Sequence, residues 1–241
     1  MADLAATYVR LREREGRLYP DAVVARLPES PAGDPLRAEW RQRADAAGRL
    51  VAYLVRLRCP LVVLELGCGN GWLANQIALI PDSAVVGVEV NELELHQARR
   101  VFARRRNLRF VLDDMRTMAM PADRPDIIVL ASVIQYVPDL PALLGRLLSW
   151  LGPGGEVHIL DSGLYRSDQV ADARDRTRRY YAAVGFPEMA EVYQHHDERE
   201  LDGFATELLY RPDEFRRRLE RRLGRARSPF PWIRVRPESA P

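Results

Sequence analysis

The sequence predicts an α/β fold: a doubly wound, mainly parallel seven-stranded sheet with helices on both faces and an N-terminal helical extension. Three observations predict it. Short, almost wholly apolar runs recur from residue 61 onward, as strands buried on both faces require. Amphipathic stretches of helical period separate these runs. Glycines and acids fall at their carboxyl ends, where doubly wound sheets bind ligands.

Residues 1–57 read as helical. Leu4, Tyr8 and Leu11 share one face, with Arg10, Arg12 and Arg14 opposite. A proline-rich loop at 28–35 precedes a second helix at 36–57, whose stripe is Trp40, Arg43, Ala47, Leu50, Leu54 and Leu57; Pro60 ends it. Strands are expected at 61–66, 84–90, 108–112, 126–132 and 155–160. Helices are expected at 72–80, 140–151 and 167–184, with one more opened by an Asn91/Glu94 capping box and closed by Arg104, Arg105 and Arg106. Segment 187–202 reads as irregular, and 205–210 and 230–235 as final strands around a basic helix at 213–227. The expected division is a helical extension or lid at 1–58 and a main domain at 59–241, with a substrate-binding insert at about 163–205.

Composition narrows the class. The 241 residues can bury a core without disulfides, and 47% hydrophobic with 29% charged residues is globular usage. Cys59 and Cys68 make neither a disulfide framework nor a metal site, so no metal is expected. No run reaches membrane-span length and the first ten residues have no apolar signal core, so a cytoplasmic location without membrane contact is expected. The net charge of +2 gives no global case for nucleic acid. All 36 cations are arginine, which fits a GC-rich genome; they cluster only at Arg216–Arg218, Arg221, Arg222, Arg225 and Arg227.

The strongest chemical signal is Glu65-Leu-Gly67-Cys68-Gly69-Asn-Gly71, after an apolar strand and before a helix. Alternating glycines let the backbone turn tightly and approach a ligand. The spacing differs from the dinucleotide fingerprint, and no Gly-Lys-Ser/Thr follows. Glu89 ends the second strand, 22 residues beyond Gly67, where a carboxylate can accept both ribose hydroxyl hydrogens.

With these residues in place, 60–162 resemble the class I S-adenosylmethionine-dependent methyltransferases, a Rossmann-like family. The matching pieces are VLELGCGNGWLA (63–74), VVGVEVNELELHQAR (85–99), FVLDDM (110–115), DIIVLASVIQYVPD (126–139) and LGPGGEVHILD (151–161), in the family's order. The resemblance implies a cofactor, S-adenosyl-L-methionine, leaving as S-adenosyl-L-homocysteine. It implies that Gly67, Cys68, Gly69 and Gly71 carry the methionine part, with Glu65 holding the loop. Glu89, with Val90 beside it, takes the ribose; Asp114, or the adjacent Asp113, takes the adenine amino group, with Met115 against the ring. Ala131, Ser132, Gln135 and Tyr136 line the junction between cofactor and acceptor.

A sulfonium methyl is a strong electrophile, so the protein mainly aligns a nucleophile in line with the S–CH₃ bond. A base is needed only if the acceptor must lose a proton. His195-His196-Asp197 is the candidate base set, with an exposed loop as the plainer reading; Tyr136 is the third catalytic candidate. Tyr180, Tyr181 and Tyr193 either wall the acceptor or pack helices, and Trp40, Arg41 and Arg43 either cover the cofactor carboxylate or hold the helix on the sheet. The function expected is methyl transfer to an O, N or C atom of a small molecule. The alternatives are an RNA or protein methyltransferase, supported only by the basic helix, and a non-catalytic adenosine-ligand or NAD binder. An unpartnered N-terminal helix would serve as a lid or as a homodimer arm.

Overall fold

The computed structural model describes residues 2–57, 60–213, 220 and 226–237. Three helices come first: α1 (Ala2–Arg14), α2 (Asp21–Val24) and α3 (Arg37–Leu57). Then follow β1 (Leu61–Leu66), α4 (Trp72–Ile77), β2 (Ser83–Glu89), α5 (Glu92–Val101), β3 (Leu108–Leu112), β4 (Ile127–Ala131), α6 (Leu140–Trp150) and β5 (Glu156–Leu160). The rest is β6 (Leu164–Tyr165), α7 (Val170–Val184), α8 (Met189–Val192), β7 (His196–Asp197), β8 (Ala205–Tyr210) and β9 (Trp232–Arg236).

Seven strands form one sheet in the order β3-β2-β1-β4-β5-β9-β8. The first five are parallel; β9 runs antiparallel to both β5 and β8. Strand order reverses between β1 and β4, so a crevice opens at their carboxyl ends. Successive strand residues face opposite sides. Val63, Ile127 and Val129 meet Trp40, Leu50, Leu54 and Ile77 on one face. Leu64, Leu66, Ile128 and Leu130 meet Leu140, Leu144, Leu147 and Trp150 of α6 on the other. Each fully buried leucine here contributes about 2 kcal/mol.

Several expectations change. The first 57 residues are not continuously helical, because Gly16 (φ 68°) ends the first helical segment and loops surround α2. Within 1–58, α3 supplies part of the sheet's own core. The Asn91 side chain caps α5 at Leu93 and Glu94, but the capping box stays half formed: the Asn91 N–H donates to Glu89 instead of Glu94. Helix α5 ends at Val101, before the arginine run. The irregular 187–202 segment holds α8 and β7, which pairs in parallel with β6. The basic helix expected at 213–227 falls mostly outside the described residues, as does Cys59. Of the apolar face of α1, Tyr8 and Leu11 pack within the chain against Tyr136, Tyr181, Met189 and Tyr193.

Candidate functional site

A cavity of about 1010 Å³ lies over the carboxyl ends of β1, β2, β4 and β5. The sheet forms its floor, α1 and α3 overhang it, and the α7–α8 segment closes the far side. Glu65, Gly67, Cys68, Gly69, Glu89, Val90, Asp113, Asp114, Met115, Ala131, Ser132, Gln135 and Tyr136 all border it. Gly71 does not. It adopts φ 76° at the start of α4, and a Cβ there would stand 2.5 Å from the Phe110 ring, so it is a packing glycine.

The loop is shaped by left-handed backbone at Gly67 (φ 72°) and Gly69 (φ 53°), a region open to glycine without strain. A Cβ on Gly67 would overlap Val133. Glu89 secures the loop from below. Its Oε2 accepts from Gly69 N–H at 2.8 Å, and its Oε1 from the Val90 and Asn91 N–H groups at 2.9 and 2.8 Å. Burial, then the neighbouring Glu94, raises its pKa to about 7 despite these hydrogen bonds. Glu65 is buried more deeply. Burial and then Glu89 raise it to about 8, partly offset by the Ala74 N–H, and its Oε2 is buried without a partner.

Just beyond β3, the Asp114 carboxylate is gripped by the Arg116 guanidinium at 2.6–3.1 Å, which holds its pKa below the usual range. Asp113 accepts from the Asp114 N–H at 2.8 Å. At the ends of β4 and β5, Ser132 (φ 55°) and Asp161 (φ 48°) both adopt left-handed backbone. Such strain persists only where surrounding contacts enforce it; here Ser132 Oγ donates to the Asp161 carbonyl at 3.1 Å. Asp161 also borders the cavity, and burial raises its carboxyl to about 6. Its backbone geometry had no signal in the sequence.

Tyrosines dominate the other half. Tyr8 and Tyr193 stand edge-on to Tyr136, each with centroids 6.0 Å away. Tyr180 and Tyr181 border the cavity as well. So do Trp40 and Arg43, whereas Arg41 does not. Tyr8, Leu11, Arg12, Glu15 and Glu94 also border it and were not expected as site residues. Tyr8 and Leu11 had been read only as one face of a helix.

The structure places the histidine pair behind the residues that line the cavity. Neither His195 nor His196 borders the cavity. His196 Nδ1 faces Glu200 Oε2 at 2.9 Å and Nε2 faces the Ile134 carbonyl at 2.8 Å, so the ring ties β7 to the turn that follows it and to the 134–136 turn. His195 Nε2 pairs with Thr177 Oγ1 at 2.8 Å, and burial, then Arg174 and Arg176, lower its pKa. Among the described residues no cluster of metal-ligating side chains occurs.

A family model described as a methyltransferase domain matches residues 39–208. The chain is 36% identical over 148 residues to a trans-aconitate 2-methyltransferase of Methylobacterium radiotolerans, covering 60% of this chain and 52% of that one. It is 28% identical over 100 residues to a malonyl-[acyl-carrier protein] O-methyltransferase of Halalkalibacterium halodurans, covering 40% and 37%. The chain thus spans about half or less of these relatives' length. Two solved structures share the fold. The plantazolicin methyltransferase BpumL in complex with SAH has a TM-score of 0.55 at 14% identity, over 96% of this chain and 99% of that one. The DhpI–SAH complex has a TM-score of 0.56 at 17% identity, over 86% and 89%. With the strand order, the glycine loop at the switch point and a family match over most of its length, the chain belongs to the methyltransferase-domain family, the class I group its motifs resemble.

Proposed function

We infer that this protein transfers the methyl group of S-adenosylmethionine to an O, N or C nucleophile of a small-molecule acceptor. One observation carries the reading: a single cavity runs from the glycine loop, Glu65 and Glu89 to a tyrosine-walled chamber beneath α1. The residues fit the cofactor. The unpartnered Oε2 of Glu65 is a buried acceptor on the cavity wall, suited to a cationic ligand's N–H or positive charge. In this reading Gly67, Cys68 and Gly69 hold the methionine part, Glu89 takes ribose, and Asp113 with Met115 faces adenine. Asp114 has to share its carboxylate with Arg116.

When bound, the cofactor supplies an electrophilic methyl on a sulfonium sulfur. The chain's own work is then to orient and to exclude water. Ser132, Gln135 and Tyr136 border the junction. Gln135 Nε2 donates to the Ser132 carbonyl at 2.7 Å, which fixes the turn that carries all three. Burial raises the Tyr136 phenol, so it stays neutral and positions an acceptor by hydrogen bonding. His195 and His196 act behind the wall as supports. The covered chamber favours a small acceptor over RNA or protein.

The test is calorimetric titration of folded, ligand-free protein with S-adenosylmethionine and S-adenosylhomocysteine, with NAD as control. Micromolar binding of the sulfur ligands alone supports the reading. An acceptor screen by mass spectrometry for a 14 Da gain would complete it, 14 Da being about the mass of CH₂ that replacing H by CH₃ adds. Binding of NAD, or of none of the three, overturns it.

A further inference from the structure

Glu89 is too heavily engaged to serve both hydroxyls of a vicinal diol. Three backbone N–H groups already donate to it, two on Oε1 and one on Oε2. A carboxylate offers roughly four acceptor positions, so one is left, on Oε2.

Glu94 stands on another side of the same glycine. It is 5% exposed and borders the cavity. Both its carboxylate oxygens lie 3.7 Å from where a Cβ on Gly69 would be. The half-formed cap explains its direction. Glu89 has taken the Asn91 N–H, which frees the Glu94 carboxylate to turn toward the loop. Arg12 of α1 is its ion-pair partner at 3.6 Å, beyond hydrogen-bond length. Arg12 Nε is itself buried without a partner. A desolvated carboxylate held in this way is completed by a donor that reaches it.

We propose that Glu94 is the second acceptor of a vicinal-diol subsite, with Glu89 taking one ribose hydroxyl of the cofactor, Glu94 the other, and Arg12 closing behind them. The subsite selects nucleosides that carry both hydroxyls and rejects deoxynucleosides. This rests on the cofactor reading above.

The experiment titrates S-adenosylhomocysteine and its 2′-deoxy and 3′-deoxy counterparts into the wild type and into Glu94→Met, Glu94→Gln and Arg12→Met, with melting curves as fold control. Wild type should bind at least one deoxy ligand about tenfold or more weakly than the parent. Glu94→Met should lose about tenfold for the parent and bind that deoxy ligand equally well. Glu94→Gln keeps an acceptor oxygen without the charge and should retain part of the discrimination. Arg12→Met removes the ion pair and should retain it too. If Glu94 only anchored α1, Arg12→Met would match Glu94→Met, and the proposal would fall. Full discrimination in Glu94→Met, with tight parent binding, would overturn the Glu94 role alone. No parent binding by the wild type would overturn the cofactor reading, and this proposal with it.

Discussion

Two sets of buried carboxylates occupy opposite ends of the sheet, and they behave in opposite ways. Glu156 begins β5. Tyr53 donates to it at 2.7 Å, His158 faces it at 3.1 Å, and Arg234 and Arg236 reach its other oxygen. Trp232 donates to His158 Nδ1 at 3.1 Å, which leaves the Nε2 proton for Glu156. Burial alone would raise Glu156, yet hydrogen bonds from His158, Tyr53 and Arg236 outweigh it and hold it at about 2. Glu65 and Glu89, near the carboxyl ends of β1 and β2, have no cation in hydrogen-bond contact among the described residues, and burial raises both. Equal burial therefore marks two different roles. A carboxylate whose acceptor positions are filled by the chain is structural. One left short of donors is kept for a ligand.

Glu156→Leu should break this contrast most severely. It strands Arg234, Tyr53 and His158 and should cost about 3–5 kcal/mol in urea unfolding. S-adenosylhomocysteine affinity of the folded fraction should stay unchanged; a parallel loss of affinity would show that the two sets are coupled. Glu89→Ala should act the other way, weakening that affinity about tenfold or more, because it removes an acceptor and frees the Gly69 N–H. Wild-type affinity would take Glu89 out of the site.

His196→Ala sharpens the structural side. Losing the ring's contacts to Glu200 and the Ile134 carbonyl should cost about 1–3 kcal/mol with cofactor affinity intact. A fall in turnover at unchanged stability would return the histidine to the chemistry.

The smallest effect is in pH. Glu65 and Glu89 have folded values of about 8 and 7, above their ordinary 4.5. They hold protons better when folded, so their stabilisation is full below about pH 4.5 and is lost as pH rises through 7 and 8. Glu156, lowered to about 2, stabilises above pH 4.5, and this is lost as pH falls toward 2. Unfolding measured from pH 3 to 9 should show Glu65→Gln flattening only the neutral limb and Glu156→Gln only the acid limb. Identical effects of the two would erase the distinction.

The glycine-loop half of the cavity was legible because its signals are local. An apolar strand, glycines at alternate positions and an acid at the next strand's end are all readable within about 30 residues, the span of a βαβ unit. The central strands β1, β4 and β5 were found within a residue or two for the same reason: burial on both faces writes itself as an apolar run. Where the histidine pair sits was not legible, because adjacency along a chain says nothing about which way a short strand turns its side chains.

The acceptor half was not legible. Its chamber joins Tyr8, Tyr136, Tyr181 and Tyr193 from four separate segments. The Arg12–Glu94 and Tyr53–Glu156 pairs each bridge distant stretches of chain. By itself the sequence determined the sheet, the glycine loop and the acid at the end of β2, since periodicity and turn chemistry act between neighbours. Only the tertiary structure decided which buried carboxylates are satisfied and which are left waiting, because that depends on the donors that distant segments bring to them.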